Sequence, residues 1–457
     1  MKIAIPKERR ASERRVAASV DTIKKYKALG AEVVVETGAG DGASIPDKVF
    51  ADAGAEIAPD AASTYADADV VLKVRHPLSA EEGIDELALM KRGAVLIGIL
   101  NPHGNRDHLP AYAEAGVTAL AMELVPRITR AQSMDVLSSQ ANLAGYRAVL
   151  DAASEFGRAF PMMMTAAGTV PPARALIMGV GVAGLQAIAT AKRLGAVVSA
   201  TDVRPAVKEQ VQSLGGTFVA VEDDEFKQAE TSGGYAKEMS KEYQAKQAAL
   251  IAETIRKQDI IVTTALIPGR PAPRLVTDEM IATMKPGSVI VDLAVEAGGN
   301  VEGSVAGEIV EKHGVRIVGH ANVPSRIAVD ASMLYAKNLF ALLSLCFDAE
   351  KKFALPWDDE IVKATALTRD GAVIHPTFAP EPAPASAQPA SMRCVTMNPP
   401  KILTEARMTA RKPSAVEKVK PAVLPVAISA PTMMTDDTAL VTLISGECSA
   451  GVTRHTT

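Results

Sequence analysis

A chain of 457 residues, 48% apolar and 22% charged with a net charge of −4, is long enough for two domains of roughly 150 residues each, with sequence left over. The near-neutral balance gives no electrostatic reason to expect nucleic acid as a partner. Cys346, Cys394 and Cys448 are too widely spaced for a disulfide framework or a metal cluster, which suits a reducing compartment.

The start, "MKIAIPKERR", carries no apolar or Arg/Ser-rich leader, and no run of ~18 apolar residues is found. The expectation is a cytoplasmic protein of bacterial type with no membrane insertion. From residue 1 to about 125, short apolar strands alternate with amphipathic helices. "KIAIP", "AEVVVE", "DVVLKV", "AVLIGIL" and "VTALAME" read as strands, and "RRVAASVDTIKKYKALG" reads as a helix capped by Gly30. A second series runs through "ARALIMGVG", "AVVSATD", "TFVAVE", "DIIVTTALIP", "GSVIVDLAVE" and "VRIVGHANVP". Strands separated by helices imply parallel sheets with right-handed crossovers. The fold class is therefore α/β, with two doubly wound, Rossmann-like domains and a cleft between them, where ligands commonly bind.

The helical stretch "ASMLYAKNLFALLSLCFD" follows the second series without a strand partner and is expected to return to the first domain. The division is then 1–137 with 322–378, and 138–321. Residues 379–457 differ in kind: they contain no Phe, Tyr or Trp and open with "APEPAPASAQPA". A proline-alanine linker and a disordered tail are expected there, since without aromatics the segment buries too little apolar surface to offset chain entropy.

"ALIMGVGVAGLQAIATAKRLGAVVSATDVR" places Gly179-x-Gly181-x-x-Gly184 after a strand and before a helix, with Asp202 at the end of the next strand. A bare GxGxxG is weak, but the full βαβ context with a distal acid is a strong dinucleotide signature. Gly179 allows the tight turn, Gly181 lets pyrophosphate approach the backbone, and Gly184 lets helix and strand pack closely. Val180, Val182 and Ala183 complete the loop, and the pyrophosphate rests on a helix N-terminus. Asp202 would accept the ribose hydroxyls and repel a 2′-phosphate, favouring NAD(H). Beside it and Val203, Arg204 either weakens that preference or is a solvated or adenine-stacking residue. Upstream, "PRITRAQSMDVLSSQANLAGYR" (126–147) packs more hydrogen-bonding side chains into a short span than a structural connection needs.

These segments, with "FPMMMTAAGTVPPAR", "GGYAKEM", "TTALIPGRPAP" and "MKPGSVIVDLAVEAGGN", make residues 1 to about 378 resemble the NAD(H)-binding domain of the proton-translocating NAD(P) transhydrogenase alpha subunit. The resemblance implies that Arg127, Gln132 and Asp135, with Ser138 nearby, reach across the cleft to the nicotinamide end of NAD(H). The glycine turn holds the pyrophosphate, so groups from elsewhere must fix the carboxamide: Gln132 can bond it, while Arg127 and Asp135 hold each other. The other reading of the stretch is a capping and hydrogen-bonding cluster at a hinge. By resemblance, Gly234, Tyr235 and Gln247 belong to a lid over the nucleotide, Ala265 and Leu266 line the site at a strand end, and the 160–172 hairpin joins a homodimer.

The implied activity is hydride transfer between NAD(H) on this chain and NADP(H) on a partner subunit. Further subunits would span the membrane, and this chain would sit peripherally on the cytoplasmic face of the bacterial inner membrane. The rival is an enzyme like the related alanine dehydrogenase. Arg15 and Lys73 match its substrate-binding arginine and lysine, but Asn101 and Glu296 stand at the positions of its general-acid histidine and its aspartate. Reduction of a carbonyl would then lack a proton donor, whereas hydride transfer between two nicotinamides needs none.

Overall fold

In strand β1 (Lys2–Ile5), Ile3 and Ile5 enter one core while Ala4 enters the opposite one, the mark of a strand buried on both faces. The same alternation recurs along β2 (Glu32–Glu36), β3 (Glu56–Ala58), β4 (Val70–Arg75), β5 (Val95–Ile99) and β6 (Thr118–Ala121). These six parallel strands lie in the order β3-β2-β1-β4-β5-β6. The computed structural model describes residues 1–227, 240–267 and 269–379. An antiparallel hairpin, β7 (Met163–Thr165) with β8 (Gly168–Val170), separates the first sheet from the second.

The second sheet is built from β9 (Arg174–Met178), β10 (Val197–Thr201), β11 (Thr217–Phe218), β12 (Ile260–Thr263), β13 (Val289–Asp292), β14 (Ile309–Lys312) and β15 (Val315–Val318). Its order is β11-β10-β9-β12-β13-β15-β14, with only β14 antiparallel. Up to β15 it repeats the strand order of the first sheet, with the crossover to the opposite edge after the third strand.

Two helices tie the sheets together. The helix Val136–Glu155 begins with Val136 in the core of the first sheet and continues with Ala148, Val149 and Ala152 in that of the second. The helix Ala328–Ser344 returns to the first sheet and buries Tyr335, Leu339, Leu342 and Leu343 against it. Together with the short helical turn before it, Val323–Ser344 is long and apolar enough to cross a membrane by length and composition. The sequence reading does not find that run because Asp330, Tyr335 and Lys337 break its apolar stretch. Its buried face marks it as a core helix.

Three further details differ from the sequence reading. The first helix starts at Val20, behind a Ser19–Thr22 capping box, because Arg15 in the preceding "RRVAAS" is drawn into a buried ion pair. Strands β3 and β14 are additions: each lies at a sheet edge and is short or half exposed, so its apolar signal is faint. "TFVAVE" supplies only Thr217–Phe218 to the sheet. The tail beyond residue 379 lies outside the described residues.

Candidate functional site

The turn after β9 is closed by glycine geometry. Gly179 has φ +98°, and a side chain there would meet Thr264 Oγ1 at 2.6 Å. At Gly184 a Cβ would stand 1.9 Å from the carbonyl oxygen of Gly179, so only hydrogen lets the helix sit on the strand. Gly181 is the opposite case: it precedes the helix Val182–Arg193, and a Cβ built on it meets nothing within 4 Å. The first turn of that helix therefore offers backbone N–H groups and its positive dipole end to open space, a setting suited to an anion. Ala183 and Val182 form that first turn, and Val180 is buried beneath it.

Asp202 lies just past β10 with its carboxylate almost buried. Oδ2 accepts the Val180 N–H at 2.7 Å, which ties the acid to the glycine turn. Arg204 covers the same group: Nε donates to Oδ1 at 2.9 Å and Nη2 to Oδ2 at 3.0 Å, while the Arg204 backbone N–H also reaches Oδ1. Around the turn, Val182, Val203, Leu266 and Ile267 are exposed apolar side chains at the carboxyl ends of β9, β10 and β12. A crevice at this edge, where the strand order reverses, is where open α/β sheets bind ligands.

Ala265 is held by a residue the sequence reading passes over. Asn300, fully buried, accepts the Ala265 N–H at 3.0 Å and donates to the carbonyls of Ala265 and Pro273. Thr264 Oγ1 donates to the Gly179 carbonyl, so strand end and glycine turn are locked together. "AGGN" offers only an Asn after two glycines, which by itself reads as a turn. Gln247 uses its amide internally, donating to Thr201 Oγ1 and accepting the Val221 N–H. Gly234 and Tyr235 lie outside the described residues.

The polar stretch resolves into two sets. Several members have structural partners: Arg130 pairs with Asp359 and Glu360, Ser139 bonds Asn338, Gln140 accepts from Arg15, and Asn142 donates to Gln186. Asp135 caps the helix Val136–Glu155, accepting the Ser138 N–H at 2.9 Å and the Ser138 hydroxyl at 2.6 Å. The mutual hold of Arg127 and Asp135 is thus replaced, at the Asp135 carboxylate, by the cap. Arg127 and Gln132 are exposed beside it. The same helix carries Gly145, where a Cβ would be 2.0 Å from the Ala183 carbonyl. One rigid rod therefore joins the Asp135–Ser138 cap to the glycine loop, about 15 Å apart along its axis at 1.5 Å per residue.

Arg15 and Lys73 lie in the first sheet, away from solvent. Arg15 donates Nε and Nη2 to Glu13, Nη1 to Gln140 and Nη2 also to Asn322. Lys73, 1% exposed, bonds Glu86 at 2.9 Å and stands 3.6 Å from Glu8. Burial outweighs the Lys73 charge at Glu8 and raises its pKa, whereas at Glu13 the bonds from Arg15 outweigh burial and lower it. Glu296 takes the backbone N–H of Asn322 and faces Arg75.

Known proteins carry the same architecture. Residues 4–144 match the N-terminal domain model and residues 148–376 the C-terminal domain model of alanine dehydrogenase/PNT. The chain is 62% identical over 379 residues to the first portion of NAD(P) transhydrogenase subunit alpha of Rhodospirillum rubrum, a separate chain, covering 83% of this chain and 99% of that one. It is 31% identical over 307 residues to alanine dehydrogenase of Mycobacterium tuberculosis, covering 66% and 75%. The solved transhydrogenase of Sinorhizobium meliloti superposes with a TM-score of 0.75 at 60% identity, covering 82% of this chain and 100% of that one. The chain belongs to the alanine dehydrogenase/PNT family and, within it, is a homologue of the NAD(P) transhydrogenase alpha subunit.

Proposed function

We propose that this chain is the NAD(H)-binding component of a proton-translocating transhydrogenase, passing hydride between NAD(H) held here and NADP(H) on a partner subunit. The observation that carries the reading is the glycine turn: Gly184 closed onto Gly179, Gly181 open above a helix N-terminus, and Asp202 tied to Val180. The donor set fits a dinucleotide, with N–H groups for the pyrophosphate, a carboxylate for ribose, and the apolar Val203 and Leu266 for the flat rings. NAD(H) bound here supplies or accepts the hydride.

The protein's own residues bind and orient. The helix Val182–Arg193 neutralises the diphosphate, and Leu266 lines the ring's path from a strand end fixed by Asn300. Gln132 bonds the carboxamide, with Arg127 and the Asp135–Ser138 cap setting its position from the far end of the shared helix. Gly234, Tyr235 and Gln247 are assigned to the lid that covers the nucleotide. Holding two C4 atoms close needs no acid, only orientation. The domains are taken as 1–137 with 322–378, and 138–321. Met162, Met163 and Met164, all exposed and Met164 by 78%, suit a homodimer contact on the hairpin. Partner subunits would supply the NADP(H) site and the membrane helices, keeping this chain on the cytoplasmic face.

The alanine dehydrogenase reading fares worse on Arg15 and Lys73. Four of the five guanidinium N–H donors of Arg15 are committed inside the protein, and Lys73 is held by buried carboxylates, leaving little for a substrate carboxylate. The test is hydride transfer from NADPH to an NAD+ analogue, with the protein alone and with an NADP(H)-binding transhydrogenase domain added, beside an alanine-plus-NAD+ assay. Transfer that requires the added domain is expected. Turnover of alanine by the protein alone would overturn the proposal.

A further inference from the structure

We propose that Arg204 is an internal occupant of the ribose site, seated on Asp202 in the nucleotide-free protein and displaced when the adenosine ribose binds, so that it sets how strongly the chain prefers NAD(H) over NADP(H). This rests on the nucleotide reading above and concerns the residue that limits it.

The argument is a count of acceptor sites. An ionised carboxylate has two oxygens with about four lone-pair positions in all. At Asp202 Oδ1 receives the Arg204 backbone N–H and Nε, both at 2.9 Å, and Oδ2 receives the Val180 N–H at 2.7 Å and Arg204 Nη2 at 3.0 Å. All four positions are filled. Two of the donors are backbone N–H groups that belong to the turns themselves and cannot leave without unravelling them. The other two sit on one guanidinium, and they hold the acid in the bidentate fork that makes such pairs strong.

A ribose hydroxyl therefore gains Asp202 only by replacing Arg204. The arginine lies where it can be displaced: its side chain is 30% exposed, and Nη2 also rests on the Val180 carbonyl at 3.3 Å, a contact made on the surface of the same turn. Displacement costs the pair, so NAD(H) binds more weakly than an open Asp202 would permit. The same pairing cancels the negative charge that would repel a 2′-phosphate. A bare aspartate at this position discriminates by repulsion; an aspartate carrying its own guanidinium does so less. Arg204 thus lowers affinity for NAD(H) and narrows the gap to NADP(H) with one contact.

The experiment uses the full chain and the variants Arg204→Met and Arg204→Gln, which keep the stem and remove the charge. Calorimetric titration with NADH, NADPH and 2′-deoxy-NAD+ reads three quantities. The expected result is tighter NADH binding in both variants, by about threefold to tenfold for a partly exposed ion pair, with NADPH weaker than in the native chain. The penalty for lacking the 2′-hydroxyl should also grow, because that hydroxyl no longer has to expel a competitor. A merely structural role would move all three ligands together. Equal weakening of all three would make Arg204 a direct ligand contact and overturn the proposal, as would no change in any of them. Failure of the native chain to bind any of the three would instead remove the nucleotide reading itself.

Discussion

The two sheets share a strand order and differ in the segment that leaves the first strand of each. After β9 the chain turns within residues 179–181 and enters a helix whose N-terminus is left open. After β1 it wanders through residues 6–19, "PKERRASERRVAAS", before the first helix begins. There the protein supplies its own anions: Glu8 accepts the N–H groups of Val74 and Arg75, and Glu36 that of Lys7. Glu13, Glu86, Arg15 and Lys73 complete a buried ionic cluster beside them. The shared strand order thus yields a docking place for a guest anion in one sheet and a filled one in the other. A fold does not carry a site; the turn does.

The sharpest way to break this comparison is to fill the open turn. Gly184→Ala puts a methyl where the Gly179 carbonyl stands, and neither backbone can yield, so NADH binding should be abolished. Retained affinity in a fluorescence titration would show that the turn is not the nucleotide seat. The filled sheet should respond in stability instead. Lys73→Met strands Glu86 and Glu8 without their cation, and urea unfolding should register a loss of about 3–5 kcal/mol. NADH affinity should stay where it was; a large fall would mean that the ionic cluster reaches the site after all.

A smaller effect comes from Glu123, at the end of β6 beside the first sheet's mouth. It accepts the N–H groups of Leu100 and Asn101, yet burial prevails and pushes its carboxyl up to about 7. The folded state therefore holds that proton more tightly than the unfolded chain does. Its stabilising contribution is complete below the ordinary value of 4.5 and is lost as pH rises through 7. Glu123→Gln should flatten this dependence, so that the variant gains about 2 kcal/mol on the native protein between pH 5 and pH 8. Parallel melting curves across that range would contradict it.

The smallest expected change separates the two roles of Asp135. Asparagine caps a helix as well as aspartate, so Asp135→Asn should leave stability nearly unaltered, while Asp135→Ala should cost about 1 kcal/mol. If the charge also orients nicotinamide, both variants slow hydride transfer far more than they weaken NADH binding, as does Gln132→Asn. Loss of binding with unaltered transfer in the residual complexes would leave Asp135 a cap and nothing else.

Much of this is legible in the residues. Apolar runs at strand length name nearly all the central strands, and Gly179, Gly181, Gly184 and Asp202 announce the turn by spacing alone, because those glycines answer to local backbone constraints. The polar run 126–147 announces itself too, but not which members are structural. Arg130, Ser139 and Gln140 find partners at Asp359, Asn338 and Arg15, all remote in sequence.

The sequence by itself therefore determined what depends on neighbours along the chain: alternation, helix caps, the glycine turn and the change of composition at 379. Tertiary structure decided whatever depends on who arrives from elsewhere. It seated Arg204 on Asp202, pinned Ala265 with Asn300, and buried Arg15 and Lys73 against carboxylates where spacing suggested substrate ligands. The physical reason is that a charged or amide group takes its meaning from its partner, and in this fold many of the partners that matter lie on a different strand or helix.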